Sequence, residues 1–390
     1  MKTAVLLPGK DKRVYSGHPW IFKSDISYVD SDCRPGDVLT VRAGNGRFLA
    51  RAVYNPRSQI ALRILTWKDE PINADWIREK VRCALDYRRS FADLHSCRLI
   101  FAESDGLPAV ICDSFGEIVV MQCLSLGMEQ FKETICDALE EELHPRGIYE
   151  RADVPVRTLE GLDLESRILR GTVPDEKTEI LENGIRFLVD VKNGQKTGYF
   201  LDQKENRAAI APFVKGKTVL DCFTHIGSFA LHAAHYQAQD VIGVDISEYA
   251  CQCAAENAAL NGLDRVRFIC ANAFDYLRQE ADEGKQYDVV ILDPPAFTKT
   301  RAQIASAERG YKEINLRGIK LTRPGGILVT CSCSQHMLPD AFRAVVHSAA
   351  VDAHARLMQI EWRTQGRDHP ILAASAETQY LKCGIYRVDK

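Results

Sequence analysis

Residues 218–230 read TVLDCFTHIGSFA, and the fold turns on them. An apolar run of strand length carries Asp221 near its end. A short loop follows with a single glycine, Gly227, and ALHAAHY (230–236) then has the composition of a helix. Eighteen residues past Gly227 stands Asp245, closing a second apolar run in VIGVDIS (241–247). The next stretch, SEYACQCAAENAALNG (247–262), supplies helix formers up to Gly262, which is placed for a C-cap. From about Ile180 onward strand, helix and strand alternate, which implies a parallel sheet covered by helices. In such sheets ligands are held by loops at the carboxyl ends of the strands.

The loop after the first strand lacks the three glycines that let a backbone approach a pyrophosphate; it has Gly227, with Thr224 and Ser228 nearby. A nucleoside cofactor without phosphate fits better. Asp245 is spaced for ribose hydroxyls, and acids at strand ends, Asp221 and Asp293, suit the sulfonium and amino group of S-adenosylmethionine (SAM). A doubly wound domain with strand-end acids for solubility is the competing reading. A further strand in YDVVILDPPAF (287–297) delivers Asp293, and Pro294 and Pro295 hold the backbone beyond it extended. Exocyclic-amine methyltransferases have an aromatic residue directly after the second proline. Here Ala296 stands there and Phe297 follows, so N-methylation loses support. The next strand, in RPGGILVTCSCSQHM (323–337), carries Cys331 and Cys333, on one face if the strand continues. Structural zinc needs four ligands, usually from paired knuckles, and the other close pair, Cys251 and Cys253, falls on a helix, so no metal is expected. Cys331, Cys222 and Cys270 suit buried, inert thiols, whereas Cys333 lies at the strand end where the cleft is.

Outward from this core, the chain has 390 residues, enough for three domains: 1–70, 71–185 and 186–390. The first alternates strand-like runs, VLTVRAG, GRFLARAVY and ALRILTW, with glycines and prolines. The second reads as α+β, with a helix over 74–94, strands LPAVICD and EIVVMQC, and a helix MEQFKETICDALEEEL (128–143). Hydrophobic residues are 46% and charged residues 26%, which argues against disorder and fibrous repeats. No apolar run approaches the ~18 residues of a membrane span. Thirteen scattered cysteines do not form a disulfide framework in a chain of this size, so a soluble protein of the reducing cytoplasm is expected. Net charge is −3, but residues 1–68 hold 12 basic against 5 acidic side chains, or +7, which leaves −10 on the remainder. A basic module of that kind is either a solvated surface or an electrostatic footprint for phosphates.

DCFTHIGSFA, GVDIS, ANAFDYL, ILDPPAF and GGILVTCSCS, in this order, resemble class I SAM-dependent methyltransferases, specifically the branch that makes 5-methylcytosine in large-subunit ribosomal RNA. The resemblance covers essentially the whole chain. GHPWIF (17–22) is similar to the PUA-type RNA-binding module of that branch, NGQKTGYFLDQKENR (193–207) to the segment entering its catalytic domain, and DHPI and ETQYLK to its C-terminal strings. The implied architecture is α/β: a Rossmann-like class I methyltransferase domain with a mostly parallel seven-stranded sheet, preceded by a small β-rich PUA-like domain and an α+β middle domain.

The implied chemistry is attack of a cysteine thiolate on cytosine carbon 6. In the two-cysteine RNA methyltransferases the nucleophile stands seven places after the second glycine of Gly-Gly-x-Leu-Val, and counting from Gly326 gives Cys333. Their second cysteine is absent, since Ala296 follows Pro295, so release of the product falls to another group or to solvent. Asp293 is the implied contact to the cytosine N3 and amino edge. The implied cofactor contacts are Asp245 with Ile246, the loop Phe223, Thr224, Gly227 and Ser228 with Asp221, then Asn272 and Ala273 at the end of VRFICANAF, and Phe200, Asp202 and Gln203 in the entering segment. The implied partner is 23S ribosomal RNA, naked or partly assembled, because a paired cytosine hides carbon 6. Arg13, Lys23 and Arg51 are candidate phosphate contacts; Trp20 and Phe22 serve either base stacking or the core of the small module. Guanine methylation on the same scaffold, a small-molecule methyltransferase and a non-catalytic SAM-binding assembly factor are the alternatives. The oligomeric state is left open, a homodimer included.

Overall fold

The computed structural model describes residues 2–298 and 300–390. They fall into two compact units: Leu181–Leu188, Asp202–Gly366 and Gln379–Lys390 form one, and the remaining stretches, Met1–Ile180, Val189–Leu201 and Arg367–Thr378, form the other. The unit rich in strand-helix alternation holds a seven-stranded sheet of β1 (Thr218–Cys222), β2 (Asp240–Asp245), β3 (Val266–Cys270), β4 (Tyr287–Leu292), β5 (Thr322–Ser332), β6 (Arg356–Arg363) and β7 (Lys382–Asp389). Their order is β3-β2-β1-β4-β5-β7-β6, with β7 antiparallel to both neighbours and the first five strands parallel.

Side chains alternate along each strand, so both faces of a parallel sheet must be apolar to be covered by helices. Leu220, Cys222, Val290, Leu292 and Leu328 pack on one face against Tyr311 and Ile314 of α4 (Ile304–Leu321), Phe342 of α5 (Pro339–Asp352) and Leu277 of α3 (Ala273–Asp282). Val219, Val241, Val289, Ile291, Val329, Cys331 and Ile385 pack on the other against Phe229 and Ala233 of α1 (Ser228–His235). Between β2 and β3 runs α2 (Glu248–Leu260), N-capped by the Ser247 hydroxyl, which accepts from the Ala250 amide at 3.2 Å. Two glycines are dictated by close approach. A Cβ on Gly243 would lie 2.7 Å from the Phe268 ring, and one on Gly227, whose φ is +85°, would lie 3.1 Å from Phe268 and 3.2 Å from Ala254 and Leu231.

The other unit contains a six-stranded sheet within residues 3–66 and a five-stranded sheet within residues 96–171. Helix Ala74–Arg89 is capped by Asn73 and buries Ile77, Val81, Ala84 and Leu85 in a core shared with helix Lys132–Leu143. The reading of one helix over 128–143 needs correction. Residues Leu126–Glu129 make a separate turn, and a new helix starts at Lys132 after Phe131. A separate two-stranded hairpin, Thr178–Glu182 and Ile185–Val189, comes first, so the parallel sheet begins at Thr218 rather than at Ile180.

Candidate functional site

The carboxyl ends of β1, β2, β4 and β5 bring most of the expected residues together. After β1 the backbone enters the left-handed region at two non-glycine residues, Phe223 (φ +67°) and His225 (φ +54°). Such residues cost about 1–3 kcal/mol each, and hydrogen bonds hold them. The Phe223 and Thr224 amides both donate to the Val244 carbonyl at 2.8 and 3.0 Å, and the His225 amide donates to the Asp245 carboxylate at 2.9 Å. His225 thus serves the loop through its backbone. The second Asp245 oxygen accepts from the Ser247 amide at 3.0 Å, which fixes the carboxylate orientation. Beside it the apolar Ile246 side chain is 69% exposed.

Asp221 is fully buried. One oxygen accepts from the Thr224 hydroxyl at 2.5 Å and from the Ala230 amide at 2.9 Å; the other has no hydrogen-bond partner, nor has the buried Ser228 hydroxyl. Burial outweighs the two donors, and with Asp293 and Asp245 nearby the carboxyl pKa is pushed up to about 8. Orphaned polar atoms and three strand-end acids are the chemistry that a cationic amino acid moiety satisfies, so these residues fit SAM. Asn272, exposed, caps α3 by accepting from the Phe274 amide at 2.9 Å, and Ala273 places a first-turn amide beside it.

Asp293 follows β4, its amide donating to the Cys222 carbonyl at 3.3 Å. Gln203 donates to the Asp293 carboxylate at 2.8 Å and accepts from Asn206 at 2.6 Å. The structure therefore gives Gln203 a contact to Asp293, which the sequence did not suggest. Asp202 is buried and accepts from the Tyr380 hydroxyl at 2.6 Å. Phe200 belongs to the other unit, where the Lys196 ammonium lies 4.6 Å from its ring centroid.

The two cysteines of β5 part company. Cys331 lies opposite Cys383 in the sheet, is fully buried, and burial pushes its thiol well up. The strand ends at Ser332, so the expectation of a shared face fails: Cys333 leaves the ladder half-buried, its Sγ 3.8 Å from the Pro294 carbonyl oxygen. Cys222 is buried as expected, but Cys270 is exposed, because it ends the outermost strand β3. Phe297 packs 4.5 Å from the Tyr311 ring and 5.7 Å from Phe274, centroid to centroid. Tyr311 in turn bonds Ser332 and Ser334 through its hydroxyl. One residue the sequence reading passed over is Lys382, fully buried at the start of β7, where its ammonium donates to the carbonyls of Ser334 at 2.7 Å and Tyr380 at 2.9 Å. The signal was present as a lone charge heading an apolar strand, LKCGIYRV.

In the N-terminal module Arg51 is buried, bound to Thr40 and Asp69, and is not placed as a phosphate contact. Arg13 pairs with Glu377 at 3.0 Å and lies 4.9 Å from the Phe22 ring centroid; Lys23 is exposed. Trp20 is half-buried and donates to Glu103 at 2.7 Å. Among the described residues no helix is long and apolar enough to cross a membrane.

Residues 5–67 match the PUA-like domain family, and residues 163–370 match a family described as S-adenosylmethionine-dependent methyltransferase. The chain is 43% identical over 390 residues to "Ribosomal RNA large subunit methyltransferase I" of Shewanella denitrificans, covering 98% of each chain. It is 39% identical over 390 residues to the protein of the same name from Klebsiella pneumoniae, again 98% of each. Among solved structures, a proposed SAM-dependent methyltransferase from Streptococcus mutans aligns with a TM-score of 0.84 at 20% identity, over 99% of this chain and 100% of that one. A proposed methyltransferase complexed with SAH aligns at 0.86, with the same identity and coverage. At this identity the two structures speak to the fold alone.

Proposed function

Because the chain belongs to the family of the ribosomal RNA large subunit methyltransferase I proteins, a PUA-like domain ahead of a SAM-dependent methyltransferase domain, we propose that it forms 5-methylcytosine in 23S ribosomal RNA through a covalent adduct of Cys333. Methyl transfer to large-subunit ribosomal RNA with SAM follows from the family; the cytosine chemistry is our reading. The observation that carries it is the position of Cys333: a half-buried thiol at the carboxyl end of β5, beside the Asp293-Pro294 turn, while Cys331 is sealed in the core.

Carbon 5 of cytosine is a poor nucleophile within an aromatic ring. Addition of the Cys333 thiolate to carbon 6 breaks the aromaticity and makes carbon 5 enamine-like. SAM, when bound, supplies an electrophilic methyl group. Asp293, held by Gln203, is assigned to the N3 and amino edge, where a shared proton stabilises charge developing on the ring. Loss of the carbon-5 proton then lets the thiolate leave, and with Ala296 after Pro295 that proton goes to a group other than a second cysteine. The cytosine must be unpaired or extruded, which suits naked or partly assembled RNA, and the +7 of residues 1–68 supports phosphate contact by the PUA-like module. Exchange of Cys333 for Ala should abolish 5-methylcytosine formation while SAM binding, followed by calorimetry, stays within about twofold, since the thiol acts on the base. Robust turnover by that variant would overturn the assignment.

A further inference from the structure

Lys382 is buried with 1% exposure, and among the described residues no carboxylate pairs with its ammonium. A buried cation without a counter-charge is strongly disfavoured, so its position calls for an explanation. Two of its three protons are committed to neutral acceptors, the Ser334 and Tyr380 carbonyls at 2.7 and 2.9 Å. Lys382 faces Ser332 across the β5–β7 ladder, so the ammonium bridges the backbone on either side of the point where Cys333 leaves the sheet. Burial brings its pKa down to about 8, and the one charge that opposes this is the Cys333 thiolate.

We infer that Lys382 is a positioning residue for Cys333: its buried ammonium clamps the strand end that presents the thiol and supplies the counter-charge for the thiolate. The coupling is reciprocal, since a thiolate that favours the protonated amine is favoured by it to the same extent. The other titratable groups at this strand end are Tyr311 on α4, its hydroxyl engaged by Ser332 and Ser334, Asp293 after β4, held by Gln203, and His336 in the turn following Cys333. Of these, Lys382 is the amine, and below about pH 8 it is mostly charged. The inference rests on the reading of Cys333 as nucleophile and adds the group that prepares it.

The test is the pH dependence of iodoacetamide alkylation at Cys333 in the full chain, followed by peptide mass mapping, with exposed Cys270 as internal reference. In K382M the alkylation midpoint at Cys333 should rise by about one pH unit, a tenfold loss of thiolate at neutral pH. K382R should restore it, and Cys270 should not move. An unchanged midpoint in K382M would overturn the inference, because a merely structural clamp alters turnover without altering the thiol titration. Should K382M not fold, K382Q, which keeps a donor without the charge, carries the same comparison. The readout needs no RNA. A Lys382-dependent midpoint with no adduct on 5-fluorocytidine RNA would overturn the cytosine reading and leave this one standing; an adduct with an unshifted midpoint would do the reverse.

Discussion

Replacing Asp221 by Asn isolates the electrostatic cost built into the end of β1. The carboxyl is fully buried with one oxygen unpartnered, and burial lifts its pKa from 3.8 to about 8 despite the Thr224 and Ala230 donors. The folded-state value lies above the unfolded one. The contribution to stability is therefore fully present below 3.8 and is lost as pH rises through about 8. Each pH unit inside that window is worth about 1.4 kcal/mol. Between about pH 5.5 and 7.5 the parent should lose about 2–3 kcal/mol relative to D221N, whose amide oxygen can accept the same two donors and does not titrate. Urea unfolding of both proteins without SAM, at the two pH values, measures this as the change in their difference. A difference that stays constant would mean that Asp221 ionises freely in the folded chain and that its burial carries no electrostatic cost. With SAM the sign reverses. A cationic cofactor favours the carboxylate, so parent affinity should rise with pH toward about 8, and D221N should bind SAM weakly at every pH.

The Gln203 contact to Asp293 separates two roles for that residue. Q203L should lower kcat by about 10²-fold while SAM affinity is retained, because the lost hydrogen bond acts where charge develops on the base; weakened SAM binding at unchanged kcat would make Gln203 a cofactor contact instead. In G243A the new methyl meets the Phe268 ring at 2.7 Å and the Thr224 methyl at 3.1 Å. Overpacking of this kind costs about 1–3 kcal/mol, so the urea midpoint should fall and SAM binding should weaken with it, and F268L in the same chain should recover part of both.

The parallel sheet was legible because strands buried on both faces are continuous apolar runs, as in β1, β2 and β4, and because Gly227 and Asp245 punctuate them at fixed spacing. The seven-stranded sheet and the PUA-like module were within reach through the family resemblance, though the strand order was not. What the sequence hid depends on where strands stop and on which neighbours lie across the sheet. Cys331 and Cys333 would share a face if β5 continued, yet β5 ends between them and Cys383 stands opposite the first. Cys270 reads as an apolar strand residue, but β3 is the outermost strand of its sheet. Arg51 looks like a free basic group until Thr40 and Asp69 are seen to bind it. Gln203 and Lys382 bond to groups 90 and 48 residues away along the chain, and only the fold brings those partners to them.

The proposed reaction forms a covalent bond between the Cys333 thiol and carbon 6 of cytosine. Incubation of the full chain with SAM and 23S ribosomal RNA carrying 5-fluorocytidine tests it directly, because fluorine at carbon 5 blocks release. The expected result is a protein–RNA adduct that withstands denaturation, maps by mass spectrometry to the peptide containing Cys333, and disappears in C333A while persisting in C331A. No adduct with RNA that the protein methylates when unsubstituted, or an adduct mapping to another residue, would rule out Cys333 as the nucleophile.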